Sequence, residues 1–521
     1  MEDFALLCYS RNTPYSYDAH TPVSILALGT YLEQNGVAIE YFDERIDDRR
    51  TFDDLIASRP RVVGFSVIGG YQIASAARLS RIVRRFSPES RILWGGIGPT
   101  TLAEETLRED FVDYVVLGEG EETLLELFSA LREGDSSAAR VPGILFKKEG
   151  RIRRNRLRPF PDVEKLPFVY QGKALTMLKR YLKRSLIREA VGYEVSRGCP
   201  FLCTFCYSPN FHNDTRVKSV GKVARELEAM KRLGVRNLDI YDDTLFGARK
   251  KDFPYYLELL RRGDYSWIGN LRIDMLDETL LRQLEASGCK WIYFGIESND
   301  DKTLRTLKKG ITAGDIHNGI RLMSRSNIPA VYSIIYGLPL EGEKDKVDCC
   351  LDFAEEIHRL HPSAEIQVQS YVPLPGSTLY ADAIRFGFVP PRQLLDWVRH
   401  DHFGVTNPWL DAPNRANEIY ISTFLAFRYR RHLSHFPIKF FAYPLHRLGL
   451  WRIQHRCFKF YVEKFLYDGV LATSEMLVNL YFWLQDLLPH LFSRSERQPP
   501  IAPKPSSIPP LLPHRDHHAH V

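Results

Sequence analysis

The sequence predicts an α/β protein: a doubly wound parallel sheet, then a partial barrel of six β/α repeats, then a mainly helical C-terminal region. Three observations carry this. Residues 3–133 alternate short apolar runs with amphipathic helical stretches. A second alternating series begins near residue 192. Residues 415–492 break both patterns with a run rich in aromatics and Arg/Lys.

In the first series "FALLCYS", "VAIEYFD", "RVVGFSV", "RILWGG" and "VDYVVLG" read as buried strands. A helix is expected across "VSILALGTYLEQNG", ended by Gly36, and others across "AARLSRIVRRF" and "EETLLELFSALREG". Unbroken β-branched runs between amphipathic helices imply a parallel sheet covered on both faces. Five strands in residues 1–139 suit a flavodoxin-like domain, whose ligands sit at the carboxyl ends of the strands. Residues 140–190, with "KKEGRIRRNRLRPFPDVEKLP", are charged and proline-punctuated and read as a linker with a solvated basic face.

Across residues 191–414 the strand candidates are "GYEVSRG", "RNLDIYDD", "SWIGNLRID", "KWIYFGIES", "AVYSIIYGLP" and "AEIQVQSYVP". Five helical stretches separate them, with Val220, Val223, Leu227 and Met230 at helical spacing in the first, and Gly234 and Gly288 at C-cap positions. Six strands linked by five helices predict a partial (β/α)6 barrel of TIM type, with its site at the carboxyl ends of the strands. In residues 415–492, "VLATSEMLVNLYFWLQDLL" continues the helical reading, and residues 493–521 read as a disordered Pro/Ser/His-rich tail. The aromatic–basic mix admits a substrate lid or a membrane-surface face, with helical core packing the plainer reading.

Bulk properties narrow the class. The 521 residues carry a net charge of +6 with both signs mixed, which does not argue for nucleic acid. Eight cysteines form no disulfide framework, and neither a signal peptide nor a membrane-spanning run is expected. The compartment implied is the reducing cytoplasm.

"SRGCPFLCTFCYSPNF" places Cys199, Cys203 and Cys206 in a C-x3-C-x2-C array just past the first barrel strand. Two readings follow. A structural zinc site would be closed by His212. A cubic 4Fe–4S cluster held by three thiolates would leave its fourth iron open to a substrate or cofactor, since electron-carrying clusters take four cysteines. The position at the head of six β/α repeats favours the cluster. Cys8, Cys289, Cys349, Cys350 and Cys457 fall in apolar elements and read as core residues.

With the aromatic Tyr207 after its third cysteine, this array resembles the radical S-adenosylmethionine (SAM) superfamily. The resemblance implies that SAM occupies the open iron. It continues through "IYDDTLFG" (Asp242 and Asp243, meeting the methionine amino group), "LRID" (Arg272), "YFGIESNDD" (Glu297 and Ser298, at the ribose) and "SIIYGLPLEGE" (Gly337, near adenine).

Residues 1–133 resemble the cobalamin (B12)-binding domain fused ahead of many such enzymes, in "VVGFSVIGG", "WGGIGPTTLAEETL" and "VDYVVLGEGEETL". Small residues at strand ends, Ser66, Gly95, Gly96 and Gly98, would leave room for the cobalamin tail, and Gly118, Glu119, Gly120 and Thr123 would form the loop entering the last helix. A dinucleotide site is the competing reading, but no G-x-G-x-x-G follows the first strand. A bare scaffold is the other. In "YDAHTPVS", Asp18 and His20 echo the carriers that supply a lower cobalt ligand, but Val23 stands where those have glycine. His20 is therefore a candidate cobalt ligand with a loop histidine as the plainer reading.

Together the pieces resemble cobalamin-dependent (class B) radical SAM enzymes over about residues 1–400. The resemblance implies three cofactors (4Fe–4S cluster, SAM, cobalamin), an electron donor such as flavodoxin or ferredoxin, and a small biosynthetic substrate. The expected activity is methylation of an unactivated carbon through a 5′-deoxyadenosyl radical and methylcobalamin. The alternatives are a ring-forming oxidative cyclase without methyl transfer and, in a different class, a non-catalytic corrinoid- or zinc-binding sensor.

Overall fold

The computed structural model describes residues 2–12, 20–184, 190–212, 214–341, 346–400, 407–410 and 438–457, with the isolated positions 419, 422 and 426. Its strands in chain order are β1 (Glu2–Tyr9), β2 (Ala38–Asp43), β3 (Pro60–Ser66), β4 (Arg91–Gly95), β5 (Tyr114–Val116), β6 (Ile144–Lys148), β7 (Arg151–Arg154), β8 (Val191–Tyr193), β9 (Ser196–Arg197), β10 (Arg216–Val217), β11 (Asn237–Ile240), β12 (Ser266–Asn270), β13 (Cys289–Glu297), β14 (Ala330–Tyr336) and β15 (Glu365–Ser370).

The first sheet has the order β2-β1-β3-β4-β5-β6-β7. Its first five strands are parallel, with the flavodoxin-like order expected of them. The two that follow differ from expectation. Residues 144–154 fall in the stretch read as a linker, yet they form an antiparallel hairpin on β5. Ile144, Leu145 and Phe146 are buried while Lys147, Lys148, Arg151, Arg153 and Arg154 stay exposed. The charges that suggested a linker are those of a protected sheet edge. A helix at Arg49–Ala57 was also not expected; Asp48 caps it by accepting from the Thr51 amide at 2.8 Å.

The second sheet has the order β15-β14-β13-β12-β11-β8, every pair parallel, giving the six-stranded partial barrel. Buried side chains on one face, among them Trp267, Ile292, Phe294, Tyr332 and Ile366, form part of the main core. Gly234 and Gly288 close their helices with φ of +82° and +84°, a conformation that costs glycine little.

The two sheets share one hydrophobic core. Thr21 Oγ1 accepts from the Gly192 amide at 2.8 Å, and Tyr170 Oη donates to the Gly192 carbonyl at 2.5 Å. A side chain at Gly192 would collide with Val23 at 2.6 Å and Tyr241 at 2.7 Å, so glycine lets β8 lie against the first domain. Leu394 and Trp397, from a turn after the barrel, return to the first domain's outer core beside the helix Tyr71–Phe86.

Of the C-terminal region, the structure describes a helix at Ile438–Gln454. The stretch "VLATSEMLVNLYFWLQDLL", residues 493–521 and Asp18 lie outside the described residues. Among the described residues no helix is long and apolar enough to cross a membrane.

Candidate functional site

The cysteine loop hangs between β9 and β10 and is pinned from two sides. Thr204 donates its amide to the Leu307 carbonyl at 3.0 Å, and its own carbonyl accepts from the Leu379 amide at 2.8 Å. Within the loop the Cys206 amide donates to Cys203 O at 3.2 Å, and the Ser208 amide to Cys206 Sγ at 3.4 Å. All three thiols are half-buried and free of disulfides. Burial pushes each of them up, Cys206 to about 11. Left to themselves they are neutral at pH 7, and it takes a bound metal to make them thiolates.

The zinc reading fares poorly on geometry. His212 Nδ1 lies 3.2 Å from Glu119 Oε1, so only its Nε2 is left to close a zinc site. Among the described residues no three His, Cys, Asp or Glu side chains converge on a single-ion position. Three thiols on one loop pinned at the head of the barrel fit a cluster that gives each its own iron.

Around this loop the residues singled out in the sequence divide. Asp242 is 1% exposed and faces inward. Its Oδ1 accepts from the Val195 and Ser196 amides at 2.8 and 2.9 Å, and its Oδ2 from the Phe246 amide at 2.9 Å. Burial lifts its carboxyl to about 7 against the pull of those amides. Asp243 points the other way, into a cavity, and accepts from Ser208 Oγ at 2.9 Å. Only the second carboxylate of the pair reaches open space.

Arg272 is buried and lies 3.8 Å over the Phe201 ring of the cysteine loop. Its fork donates to Asp274 at 3.0 and 3.1 Å, and its Nη1 to the Lys309 carbonyl at 2.7 Å. Glu297 ends β13 with φ +64°, a strained conformation for a residue with a side chain. It accepts from Lys309 Nζ at 2.8 Å, and the adjacent Ser298 Oγ accepts from the Asp300 amide at 3.1 Å. Gly337 has φ +71° but is covered: its carbonyl accepts from Trp409 Nε1 at 3.0 Å, and a Cβ there would lie 2.8 Å from Leu410. The structure spends that glycine on a turn beneath residues 407–410.

The cavity, of about 490 Å³, joins the carboxyl ends of both sheets. From the first domain His20, Ser66, Gly95, Gly96, Gly118, Glu119 and Gly120 line it; from the barrel side come Arg197, Tyr207, Tyr241 and Asp243. A large, mostly apolar cleft bounded by carboxyl ends of parallel strands is where such folds take ligands. Four expected residues serve other ends, and two of these, Gly96 and Glu119, also line the cavity. A Cβ on Gly98 would meet Ile68 O at 2.6 Å and one on Gly96 would meet Val67 O at 2.7 Å, so these glycines let two backbone loops touch; Gly98 is not in the cavity wall. Thr123 is fully buried and accepts from Arg158 Nε at 3.1 Å, away from the cavity. Glu119's carboxylate is engaged by Arg197 and Arg216.

Sequence reasoning missed Ser24, whose hydroxyl meets Ser66 Oγ at 3.0 Å, and Lys309 and Tyr241. No local pattern marks them. Of the five cysteines read as core, Cys8 and Cys289 are buried, Cys350 and Cys457 half-buried and Cys349 exposed.

The family model for the B12 binding domain matches residues 15–128, and that for the radical SAM superfamily matches residues 193–350. The chain is 28% identical over 330 residues to an uncharacterized methyltransferase of Pyrococcus horikoshii, covering 62% of this chain and 70% of that protein. It is 28% identical over 320 residues to the anaerobic magnesium-protoporphyrin IX monomethyl ester cyclase of Synechocystis, covering 59% of this chain and 62% of that one. In fold it is similar to the radical S-adenosylmethionine methyltransferase TsrM of Kitasatospora setae, solved with cobalamin and a 4Fe–4S cluster bound, at TM-score 0.61 and 20% identity over 75% of this chain and 80% of that one. A B12-binding domain set against a radical SAM domain places this chain among the cobalamin-dependent radical SAM enzymes, whose cofactors are a 4Fe–4S cluster, SAM and cobalamin.

Proposed function

We propose that this enzyme transfers a methyl group to an unactivated carbon of a small biosynthetic intermediate. The observation that carries the reading is the single cavity walled both by the strand ends of the first domain and by Tyr207 and Asp243 beside the cysteine loop. Two reagents held on opposite walls of one cleft meet at one substrate atom, and such placement is worth much of a barrier. The methyltransferase relative and the TsrM-like fold support this choice.

In this reading Cys199, Cys203 and Cys206 hold the cluster. Asp243, backed by Ser208, takes the SAM amino group through charge-assisted hydrogen bonds. Glu297 and Ser298 face the ribose, while Arg272 steadies the loop through Phe201. Gly95, Gly118 and Gly120 give cobalamin backbone approach, with Ser66 and Ser24 as hydroxyl partners. His20, in the same wall, remains the candidate cobalt ligand. When bound, the cluster and SAM supply one-electron reductive chemistry and cobalamin supplies a methyl carrier. The chain's own work is to align the two, exclude water and keep stray hydrogen donors away. A flavodoxin or ferredoxin in the cytoplasm would deliver the electron.

The test uses anaerobically reconstituted, reduced enzyme with hydroxocobalamin, methyl-labelled SAM and a small-molecule extract of the host cell. A product one methyl heavier that carries the label supports the methylase. Label that stays in SAM while deoxyadenosine accumulates supports the second reading, a cyclase-type oxidation, which the Synechocystis relative favours.

A further inference from the structure

The cysteine loop has a neck. Arg197 and Arg216 are cross-strand partners in the ribbon β9–β10, so the chain from Gly198 to Thr215 is suspended from that pair. Both guanidiniums reach one carboxylate. Glu119 Oε2 accepts from Arg197 Nη1 at 2.8 Å and from Arg216 Nη1 at 3.1 Å. Its Oε1 meets Arg216 Nη2 and lies 3.2 Å from Nδ1 of His212, which follows the cysteines on the same loop. Glu119 is 7% exposed at its side chain, and the two arginines and the histidine are 13% exposed each.

Glu119 does not belong to the barrel. It sits between Gly118 and Gly120, in the loop that ends β5 and lines the cavity from the cobalamin side. A buried carboxylate binding two guanidiniums is directional and strong, because each bond is charge-assisted and water is excluded.

We propose that Glu119 is a positioning residue for the cysteine loop, fixing its neck from the cobalamin domain so that both domains jointly set the loop's orientation. Its catalytic consequence rests on the reading of the loop as the cluster site; its geometry does not. A plain domain-docking ion pair would stabilise the whole fold and leave the neck's local order unchanged. The structure also offers a clean variant. Without Glu119, Arg197 keeps Glu121 at 2.7 Å and Glu194 at 3.1 Å, and Arg216 keeps Asp214 at 2.9 Å and the Pro161 carbonyl at 2.8 Å. Glu119→Gln therefore strands neither cation and removes the charge that joins both neck arginines to the domain, leaving Arg197–Glu121 as the remaining ion pair between them.

The experiment compares full-length, anaerobically reconstituted wild type, Glu119→Gln, Arg216→Gln and the double variant, each with hydroxocobalamin. Hydrogen exchange is read at the neck (residues 195–198 and 216–218), with β13 as reference. Each single variant should speed neck exchange about tenfold with the reference unchanged, and the double should add nothing further. At equal iron content, Glu119→Gln should need about tenfold more SAM to perturb the cluster's electron paramagnetic resonance signal. Neck exchange within about twofold of wild type, full additivity, or equal acceleration of β13 would overturn the proposal. Should Glu119→Gln not fold, Arg216→Gln alone decides by the same neck and reference criteria. A wild type that binds no iron, yet whose neck responds as described, would strike the cluster reading and leave the positioning role standing.

Discussion

Asp243 accepts a hydrogen bond from Ser208 Oγ at 2.9 Å, two residues past the last cysteine, while Asp242 beside it is turned into the fold. Adjacent residues at a strand end point to opposite sides, so one pair of carboxylates divides into a site residue and a strut. Asp243→Asn is expected to weaken SAM binding by about tenfold or more and leave the unfolding midpoint near wild type. Equilibrium dialysis with labelled SAM, alongside denaturant unfolding, checks both halves.

Asp242→Asn should do the reverse. An amide has one acceptor oxygen where three backbone N–H groups need partners, and its NH2 would face a buried donor. A loss of about 2 kcal/mol of stability is expected. Urea unfolding measures it; a change under about 0.5 kcal/mol would mean the loop does not depend on this carboxylate.

Arg272→Lys keeps the charge and loses the fork. The stack on Phe201 at 3.8 Å and the paired bonds to Asp274 both need a planar guanidinium. The cysteine loop should loosen, seen as faster iron loss to a chelator under anaerobic conditions, by about threefold to tenfold.

The Glu119 clasp carries a pH signature. Burial opposes its ionisation, but the close approach of His212, the hydrogen bonds from Arg216 and the charge of Arg197 outweigh this and hold the carboxyl well below its usual 4.5. A depressed folded-state pKa stabilises the protein above the unfolded value, and that stability is lost as pH falls through the folded one. The neck should therefore exchange about tenfold more slowly in wild type than in Glu119→Gln near pH 7. The gap should close progressively below about pH 4.5. Neck exchange of the two proteins, corrected for the intrinsic rate and followed from pH 7 to pH 3, tests this.

Much of the fold could be read from period and punctuation. The five parallel strands of the first sheet are continuous apolar runs, and the cysteine spacing marks its loop without help from tertiary structure. Other features resisted for physical reasons. Lys147, Lys148 and the arginines of β7 made an edge hairpin look like a linker, because an edge strand must repel further pairing. Gly98 and Gly337 carry the small-residue signature of a ligand site, yet their room is taken by backbone and by Leu410, and glycine does not announce which neighbour approaches it. The bonds from Glu119 to Arg197 and Arg216 span 78 and 97 positions, and long-range ion pairs leave no local pattern.

Metal analysis with electron paramagnetic resonance on anaerobically reconstituted enzyme addresses the central claim, that three cysteines on one loop leave an iron for SAM. The account predicts about four iron atoms per chain, a reducible cubane whose signal shifts when SAM is added, and loss of both in Cys199→Ala, Cys203→Ala or Cys206→Ala. One zinc per chain with no reducible cluster, or a signal indifferent to SAM, would contradict it.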